Sequence, residues 1–583
     1  MGYLTLEDFR GGVDRRRPIY AGKPGTLWEC INAHITTGGD VEKRKAFAER
    51  GAFSANTYGL FAASELLYTF GSEVSTLVTI PGAVRYMRLQ HPLGAPMLRV
   101  LDADLFSGLI YVIAEFADSS VMHFYNGTLV RAWSNGLVLA SDSSLANVAT
   151  RLAALINAST NYSATAVGNV ITIVAAVNDK AFSCLTLAEN GGTVDDEAMV
   201  YVQTVAPSPG VSQEGTLTLS GTFDVGDRFG ARLVTGTPDV IEYFGNYAQP
   251  YGAASCVKTH KRKMYVGARS LLEFSKVNDA TAWNVDVDAG AGFMNLSNHV
   301  GGSELVLSLE SYQGRLAAFS RRAIQLWTMQ NDDDLNNLDQ VLENTGTRSP
   351  RSTLEYAGND VFYLDDPGIR SIKARDASNN AYASGVGAPI NGLVRDWMRN
   401  GVSDADIEAA VATVETEEAR FWMAIGERIF VYSFFPDTGI AAWSWYEPGF
   451  VVSDFARANS RVWARAGDTL YVYGGDSGDE YDTSEVTIAL PFTGAQKDGT
   501  YKNLNGMAFA ATGAWDVQLR IDPNDLNQVV QMGENEGFTY SDPAWAAVGH
   551  CTHISPLLTN SSSGYASLSK LSIFYEGVEA MFG

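Results

Sequence analysis

The feature of this sequence that most constrains its fold is a repeated pair of short apolar runs separated by a tight turn. Each run has about five residues rich in Val, Ile, Tyr, Phe and Trp, a composition typical of the strands of a β-hairpin. The pattern occurs in six segments: Leu109–Gly127, Lys261–Val277, Tyr312–Met329, Tyr356–Ala374, Ala419–Phe435 and Ser460–Gly475. Pairs that recur every ~40–50 residues match the blades of a β-propeller. We therefore predict a mainly β protein with a β-propeller, six blades being favoured and five or seven left open.

One stretch departs from this pattern. Ser143–Ala158 places apolar residues at helical spacing, and two short strands around a Gly168–Asn169 turn follow it. This succession predicts an inserted α+β domain, and two further helices are expected at Pro389–Asn400 and from Ser403. The predicted organisation is a docking segment at 1–50, first blades at 51–134, the insertion at 135–234 (Asn135 to Val234), remaining blades at 235–483, and a β-rich C-terminal segment at 484–583 that closes or flanks the propeller.

Composition excludes several classes of protein. The 583 residues are 46% hydrophobic, which is too apolar for a disordered chain, and they carry a net charge of −24. A protein that holds nucleic acid needs clustered Lys and Arg, so tight DNA binding is not expected. The four cysteines are scattered, which predicts free thiols in a reducing compartment. No apolar run approaches the ~20 residues that span a bilayer, and the first residues show no secretory signal.

Motifs for catalysis are absent from the sequence. It contains no GxSxG, HExxH, Walker A or dinucleotide-binding pattern. We therefore expect no enzyme and no cofactor. Three carboxylates, Glu415, Glu417 and Glu418, precede a strand and keep open a hydrolase, since glycosidases on such scaffolds use a carboxylate pair about 5–9.5 Å apart.

An acidic run at Asn331–Glu343 suggests one metal site. Asp332, Asp334, Asn336 and Glu343 occupy positions 1, 3, 5 and 12 of a calcium-loop register. Asn337 stands where that loop requires glycine, and Asn tolerates the left-handed conformation. A calcium loop and a solvated acidic loop between blades both fit this pattern.

Basic residues are concentrated near the N-terminus. Arg15, Arg16 and Arg17 fit either a solvated turn before Pro18 or a docking site for an acidic partner surface. A second group, Lys43, Arg44 and Lys45, follows the turn glycines Gly38 and Gly39. We expect these glycines to let the chain reverse closely against a neighbour, and the basic group to pair across a subunit seam.

The N-terminal segment carries a family resemblance. Asp8–Phe47 has an early Phe9-x-Gly11-Gly12, a Pro24-Gly25-Thr-Leu turn, and then Asn32-x-x-Ile35-x-x-Gly38-Gly39 followed by Lys43–Lys45 and Phe47. It resembles the opening of tail nozzle proteins of short-tailed bacteriophages (podoviruses), also called tail tubular protein B or stabilisation proteins. Thr345–Ile372 is similar to a blade junction of the same family. The resemblance covers most of the chain in layout and is specific in these two segments.

The resemblance implies a structural protein of the virion tail that is assembled in the host cytoplasm. It implies a homohexameric ring beneath the tail adaptor protein, which continues the DNA-ejection channel and anchors tail fibres or tailspikes. Double-stranded DNA would be transiting cargo only, and the family offers no catalytic residues. The charge of −24 then has two readings, a repellent lining of the channel or an acidic outer surface that keeps the protein soluble.

Two other functions remain open at this stage. A propeller can instead serve as a glycan-binding or glycan-degrading tail protein, which requires aromatic platforms beside paired carboxylates. A scaffold propeller encoded outside any phage is the third interpretation.

Overall fold

The computed structural model describes seventeen stretches of the chain: residues 2–23, 25–72, 84–91, 95–117, 120–134, 144–189, 196–222, 227–235, 240–245, 254–283, 290–299, 304–332, 335–378, 385–415, 417–494, 500–535 and 549–577. The chain divides into two compact units. Unit 1 comprises Met1–Ala52 and Thr347–Gly583, and unit 2 comprises Phe53–Gly346. This division falls inside the stretch 235–483 that the sequence suggested as one run of blades.

The N-terminal part of unit 1 contributes five strands: β1 (Gly2–Leu6), β2 (Glu29–Ile31), β3 (Ala33–Ile35), β4 (Val41–Lys43) and β5 (Phe47–Ala52).

Unit 2 contains one helix and twenty-two strands in its described residues: β6 (Tyr58–Ala63), β7 (Leu66–Gly71), β8 (Val84–Arg88), β9 (Met97–Phe106), β10 (Leu109–Phe116), β11 (Ser120–Tyr125), β12 (Thr128–Ser134), α1 (Leu145–Asn157), β13 (Tyr162–Val167), β14 (Val170–Ala175), β15 (Phe182–Glu189), β16 (Ala198–Val205), β17 (Glu214–Ser220), β18 (Arg228–Thr235), β19 (Val240–Gly245), β20 (Ala254–His260), β21 (Lys263–Ala268), β22 (Leu271–Phe274), β23 (Gly292–Asn295), β24 (Ser308–Tyr312), β25 (Arg315–Phe319), β26 (Ala323–Thr328) and β27 (Asn337–Glu343).

The remaining elements belong to unit 1: β28 (Leu354–Tyr356), β29 (Asp360–Asp365), β30 (Gly368–Ser371), α2 (Ile372–Ser378), α3 (Asn391–Asn400), α4 (Asp404–Glu408), β31 (Val411–Val414), β32 (Phe421–Ile425), β33 (Arg428–Phe435), β34 (Ile440–Tyr446), β35 (Asp454–Ala458), β36 (Arg461–Ala466), β37 (Thr469–Tyr473), β38 (Val486–Ala489), β39 (Lys502–Thr512), β40 (Trp515–Arg520), β41 (Val529–Asn535), β42 (Gly549–Cys551), β43 (Ser555–Asn560) and β44 (Ser567–Gly577).

Most of these strands form small antiparallel sheets of neighbours in sequence, which are the blades of a propeller-type, mainly β fold. Within the described residues six runs of consecutive strands have this order. Five are sheets of their own, β9–β12, β20–β23, β24–β27, β28–β30, and β35–β37 extended by β5, whereas β31–β34 is one end of a nine-stranded sheet that continues through β2, β38, β43, β40 and β41. All six hairpins expected from the sequence lie in them. A further small sheet, β6–β8, differs because β7 and β8 pair in parallel.

The predicted α+β insertion forms a separate core within unit 2. Helix α1 begins after Ser144, whose hydroxyl accepts the Asn147 N–H, and its buried face packs on two sheets, β13–β14–β17–β16 and β15–β18–β19. Gly168 has φ +62° in the turn between β13 and β14, as the two-residue turn requires. Because β19 pairs with β18, this part extends to Gly245 rather than ending at Val234.

The first fifty residues are part of unit 1 and not a separate docking segment. β1 and β4 pair with β44, β2 pairs with β38 and β34, and β5 pairs with β37. The main apolar core of unit 1 accordingly combines Phe9, Val13 and Leu27 with residues from Tyr356 to Tyr575. The C-terminal strands therefore complete sheets that the N-terminal strands begin.

The helices of unit 1 follow their capping residues. Helix α3 ends at Gly401, and α4 begins with a capping box in which Ser403 and Asp406 each bond to the other's backbone N–H. Both were expected, whereas α2 was not, because the sequence pattern placed its first residues at the end of the hairpin Tyr356–Ala374. None of the described helices is long and apolar enough to cross a membrane.

The four cysteines are free thiols, as predicted. Cys30, Cys256 and Cys551 are buried, and burial raises the pKa of Cys551 to about 11 and that of Cys256 to about 12. These thiols are packed as small apolar groups.

Candidate functional site

The basic segment Lys43–Lys45 lies inside unit 1. Lys43 and Arg44 are fully buried. The Arg44 guanidinium forms an ion pair with Asp482 (Nη1–Oδ2 2.9 Å) and donates from Nε to Oδ1 of Asn32 at 3.0 Å. A side chain with no exposed surface has no atoms to offer a second subunit. The predicted role at a subunit seam is therefore wrong for Lys43 and Arg44.

Lys43 links two distant parts of the chain. Its ammonium donates to Oδ1 of Asn560 at 3.3 Å and to the Ser562 carbonyl at 2.5 Å. Burial lowers the pKa of Lys43, and these oxygens replace part of the water that the ammonium loses. The residue holds β4 against the loop that precedes β44.

The arginine group at 15–17 is divided between the interior and the surface. Arg15 stacks on Trp28, with Cζ 3.7 Å from the ring centroid, and pairs with Glu29 at 3.2 Å. Arg16 and Arg17 are exposed. Arg15 is thus engaged within the chain, and only the other two have the surface that a docking role needs.

Gly38 and Gly39 form the turn between β3 and β4. Gly39 has φ +92°, and a Cβ there would lie 3.2 Å from Cγ of Arg10. It is buried against its own chain, which contradicts the expected role for Gly39 at a neighbouring subunit. Gly38 is exposed.

The calcium-loop register does not form a loop. Residues Asn337–Glu343 are strand β27, paired with β26, so Glu343 lies roughly 20 Å along the strand from Asn337. Asn336 instead accepts the Gln330 N–H at 2.8 Å, and Asp332 is exposed, while Asp334 lies outside the described residues. Among the residues described, no group of three or more His, Cys, Asp or Glu side chains is placed to hold a metal. The calcium prediction is wrong because position 12 cannot return to position 1.

A polar cavity of about 460 Å³ lies beside Lys45 in unit 1. Its charged lining residues are four acids and two bases: Glu42, Glu417, Glu418, Asp479, Lys45 and Arg420. His34 and three tyrosines, Tyr473, Tyr481 and Tyr565, complete the lining. We call this set the polar cavity.

Separate elements of unit 1 bring these residues together. His34 on β3 stands directly opposite Glu42 on β4, so both side chains lie on one face of the strand pair. Glu417 and Glu418 come from the turn before β32, and Tyr473 ends β37.

Arg420 is held by a carboxylate on each side. Its side chain is 6% exposed, and its guanidinium pairs with Glu415 at 3.3 Å and with Glu418. Glu415 also accepts the backbone N–H groups of Glu417 (2.7 Å) and Glu418 (3.1 Å). Burial disfavours the charged form, but neighbouring oxygens, including those of Tyr446, Glu418 and Glu415, raise the pKa of Arg420. The guanidinium therefore stays charged.

Lys45 forms the second ion-pair group of the cavity. Its Nζ lies 2.5 Å from Oε2 of Glu417 and 3.3 Å from Oδ1 of Asp479. Burial opposes the charge, yet the bond to Glu417 and its carboxylate charge raise the pKa of Lys45. Unlike Lys43 and Arg44, this residue lies at a cavity, but its partners belong to its own chain.

His34 is a buried, neutral imidazole. Its Nδ1 lies 2.9 Å from the Tyr446 hydroxyl, while Nε2 has no hydrogen-bond partner among the described residues. Burial holds the pKa of His34 well below its usual range, with the charges of Arg420 and Lys45 acting in the same direction. Beside it, burial raises the pKa of Glu42.

Sequence reasoning found part of this cavity only. Glu417 and Glu418 were singled out as carboxylates, and Lys45 as a basic residue, but His34, Glu42 and the tyrosines were not. These lining residues lie up to more than 500 positions apart in the chain, as His34 and Tyr565 do. No local spacing in the sequence could therefore predict that they share a cavity. The signal that was present was a group of three glutamates, Glu415, Glu417 and Glu418, followed closely by Arg420.

Comparison with known proteins identifies no family. No family model and no curated protein matches the chain. Among solved structures, the extracellular domain of the one-component system BT4673 of B. thetaiotaomicron aligns over 86% of this chain and 46% of its own at 8% identity and TM-score 0.24. The Neurospora crassa Pan2 WD40 domain aligns over 53% of this chain and 86% of its own, at 11% identity and TM-score 0.23. A chain of the structure of BBS1N in complex with ARL6DN aligns over 63% of this chain and 88% of its own, at 10% identity and TM-score 0.18. Similarities of this size say nothing about function, and the fold class rests on the strand order of the sheets.

Proposed function

We propose that this protein is a structural subunit of the tail nozzle of a short-tailed bacteriophage. In this role it forms a six-membered ring below the tail adaptor, continues the channel for DNA and anchors fibres or tailspikes. The observation that carries the proposal is the resemblance of Asp8–Phe47 and Thr345–Ile372 to nozzle proteins. A ring subunit of this kind has no catalytic task and no cofactor, and its place is the virion tail.

Positions that carry the resemblance are packed closely and hydrogen-bonded within unit 1. Gly12 has φ +52° and a Cβ there would meet the Trp443 backbone nitrogen at 2.7 Å. Asn32 accepts from Arg44 and from the Glu447 N–H (2.8 Å), and it donates to the Glu485 carbonyl at 2.8 Å. Matches at such constrained positions support a shared fold more strongly than matches at surface positions would.

The second segment of the resemblance is also built into unit 1. Thr347 and Ser349 bond to each other, the Thr347 hydroxyl accepting the Ser349 N–H at 3.0 Å, and the Ser349 hydroxyl donates to the Ile407 carbonyl. All three residues are buried. They fix the start of β28, where the family has a blade junction.

The charge of the chain suits a conduit. A ring of six chains with −24 each presents an acidic surface to which phosphates do not adhere. Lys43 and Arg44, two of the 42 basic residues, are buried, so their positive charge is not offered to DNA.

Native mass spectrometry and cryo-electron microscopy of the purified full chain test this function. The expected result is a ring with six times the 62.9 kDa subunit mass, and peptides of the chain in purified virions of the phage that encodes it. A strictly monomeric protein that is missing from those virions would contradict the proposal.

A further inference from the structure

We propose that the polar cavity of unit 1 binds a neutral, hydroxyl-rich ligand, a saccharide of one or two rings. This binding activity goes beyond the ring function proposed above and does not depend on it. The cavity of about 460 Å³ lies in the size range of small-ligand sites, which combine aromatic walls with a few fixed polar groups.

The charges of the walls favour a ligand without net charge. Lys45 is paired with Glu417 and Asp479, and Arg420 with Glu415 and Glu418, so each cation already has two carboxylate partners. An anion would lie against the carboxylates, which outnumber the two bases of the lining. A cation would have to compete with Lys45 and Arg420 for the carboxylates that they already hold. A neutral polar molecule meets neither obstacle.

Two buried polar atoms at the cavity lining lack partners within the described structure. They are Nε2 of His34, whose residue is 2% exposed, and Nε of Arg420, whose residue is 5% exposed. A buried polar atom without a hydrogen bond is costly, so a ligand that supplies one gains affinity. Arg420 can only donate, whereas the neutral imidazole and the carboxylates also accept. Hydroxyl groups satisfy both needs because each donates and accepts.

The tyrosines supply the apolar surface. The rings of Tyr481 and Tyr565 are 5.8 Å apart and nearly perpendicular, at 82°. Both line the cavity, and Tyr565 is 44% exposed. Such amphipathic rings pack against the C–H face of a sugar while their hydroxyls bond to its rim. Glu42 and His34 on the adjacent strands face the same space.

The test uses the full-length chain and a printed array of neutral glycans, followed by saturation-transfer NMR in solution with each glycan retained. Inorganic phosphate and argininamide serve as charged probes. We expect at least one neutral glycan to bind and neither charged probe to compete with it. Binding of no neutral glycan, or competition by either charged probe, would overturn the proposal.

Variants locate the binding. Tyr481→Ala should weaken it about fivefold or more, and the isosteric Glu42→Gln should weaken it too without changing the shape of the wall. Tyr20→Ala, which removes a tyrosine exposed to 59% outside the cavity, is the matched control and should leave binding unchanged. Should Tyr481→Ala fail to fold, Glu42→Gln alone decides the test. If the folded cavity variants bind the glycan with unchanged affinity, the glycan binds elsewhere and the proposed site is refuted. Ring assembly is measured separately, and its outcome bears only on the proposed nozzle function.

Discussion

The two units of this protein reach similar sheets by different routes. In unit 2 the blades β9–β12, β20–β23 and β24–β27 are each made of strands that follow one another in the chain. In unit 1 strands from the first fifty residues complete sheets from the last two hundred, and Thr5 on β1 bonds to Ser572 on β44 across 567 positions. Local patterns therefore suffice to build the blades of unit 2, whereas unit 1 depends on contacts between the two ends of the chain.

Buried ion pairs join segments that are distant in sequence in both units. In unit 1 the fully buried Arg44 connects β4 to the loop that holds Asp482 and Ser484. In unit 2 the pair Arg131–Glu273 (2.5 Å) joins two blades. Strands that are distant in sequence need such contacts because closing the loop between them costs conformational entropy before they can pair.

Removal of β44 should have the largest effect on this comparison. A chain that ends at Ala566 loses the strand that pairs with β1, β4 and β39. We expect unit 1 to lose its cooperative unfolding transition in calorimetry, while residues 53–346 remain protected from proteolysis because the cores of unit 2 contain no residue of unit 1. A chain that ends at Gly577 is the control. Loss of both units together would contradict the independence of unit 2.

Arg44→Met should be the most damaging point substitution in unit 1. It removes the hydrogen bonds of the buried guanidinium to Asn32, Asp482 and Ser484, and removal of one member of a buried ion pair lowers the free energy of unfolding by about 3–5 kcal/mol. Denaturant titration followed by tryptophan fluorescence measures the change. The control Arg10→Met removes a pair with Asp8 in which the two side chains are 51% and 59% exposed, and it should cost less than about 1 kcal/mol. Equal losses in the two variants would show that Arg44 is not a structural link.

Substitution of two glycines with positive φ, one in each unit, allows a direct comparison of the units. Gly12→Ala in unit 1 places a Cβ 2.7 Å from the backbone nitrogen of Trp443, and we expect a loss of about 3 kcal/mol in the free energy of unfolding. Gly108 in unit 2 has φ +80°, but a Cβ built there has no atom within 4 Å. Gly108→Ala should therefore lose only the conformational cost of the left-handed backbone, about 1–2 kcal/mol. The same denaturant titration checks both. A larger loss at Gly108 than at Gly12 would refute close packing of the N-terminal segment on β34.

The smallest expected effect concerns pH. Burial, assisted by the charge of Arg131, lowers the pKa of His123 in unit 2 to about 3. The unfolded chain binds a proton near pH ~6.5 and the folded one does not, so stability falls as the pH drops below that value, by about 2 kcal/mol between about pH 7 and about pH 5. His123→Phe keeps a ring against Tyr111 and Trp283 and should remove this contribution. Denaturation at the two pH values measures it, and an unchanged pH slope in the variant would exclude His123 as its source.

Much of the fold was predictable from short windows of sequence. The six hairpins, helix α1 with its Ser144 cap, the Gly168 turn and the α3–Gly401 end all depend on residues close in the chain. The candidate site was less predictable. Lys43 and Arg44 read as surface charge because their partners, Asn560 and Asp482, lie more than 400 positions away. The calcium register failed for a different reason, because pairing with the neighbouring strand β26 keeps Asn337–Glu343 extended.

The sequence by itself determined which segments become strands and turns, because the period of apolar residues and the conformational preferences of Gly, Asn and Asp act over a few residues. Only the tertiary structure decided that β4 stands beside β44, that Arg44 is internal, and that His34, Glu42 and Arg420 line the same cavity. Strand partners far apart in the chain are selected by the burial of whole faces and by the pairing of buried polar groups. Those quantities exist only once the chain has closed on itself.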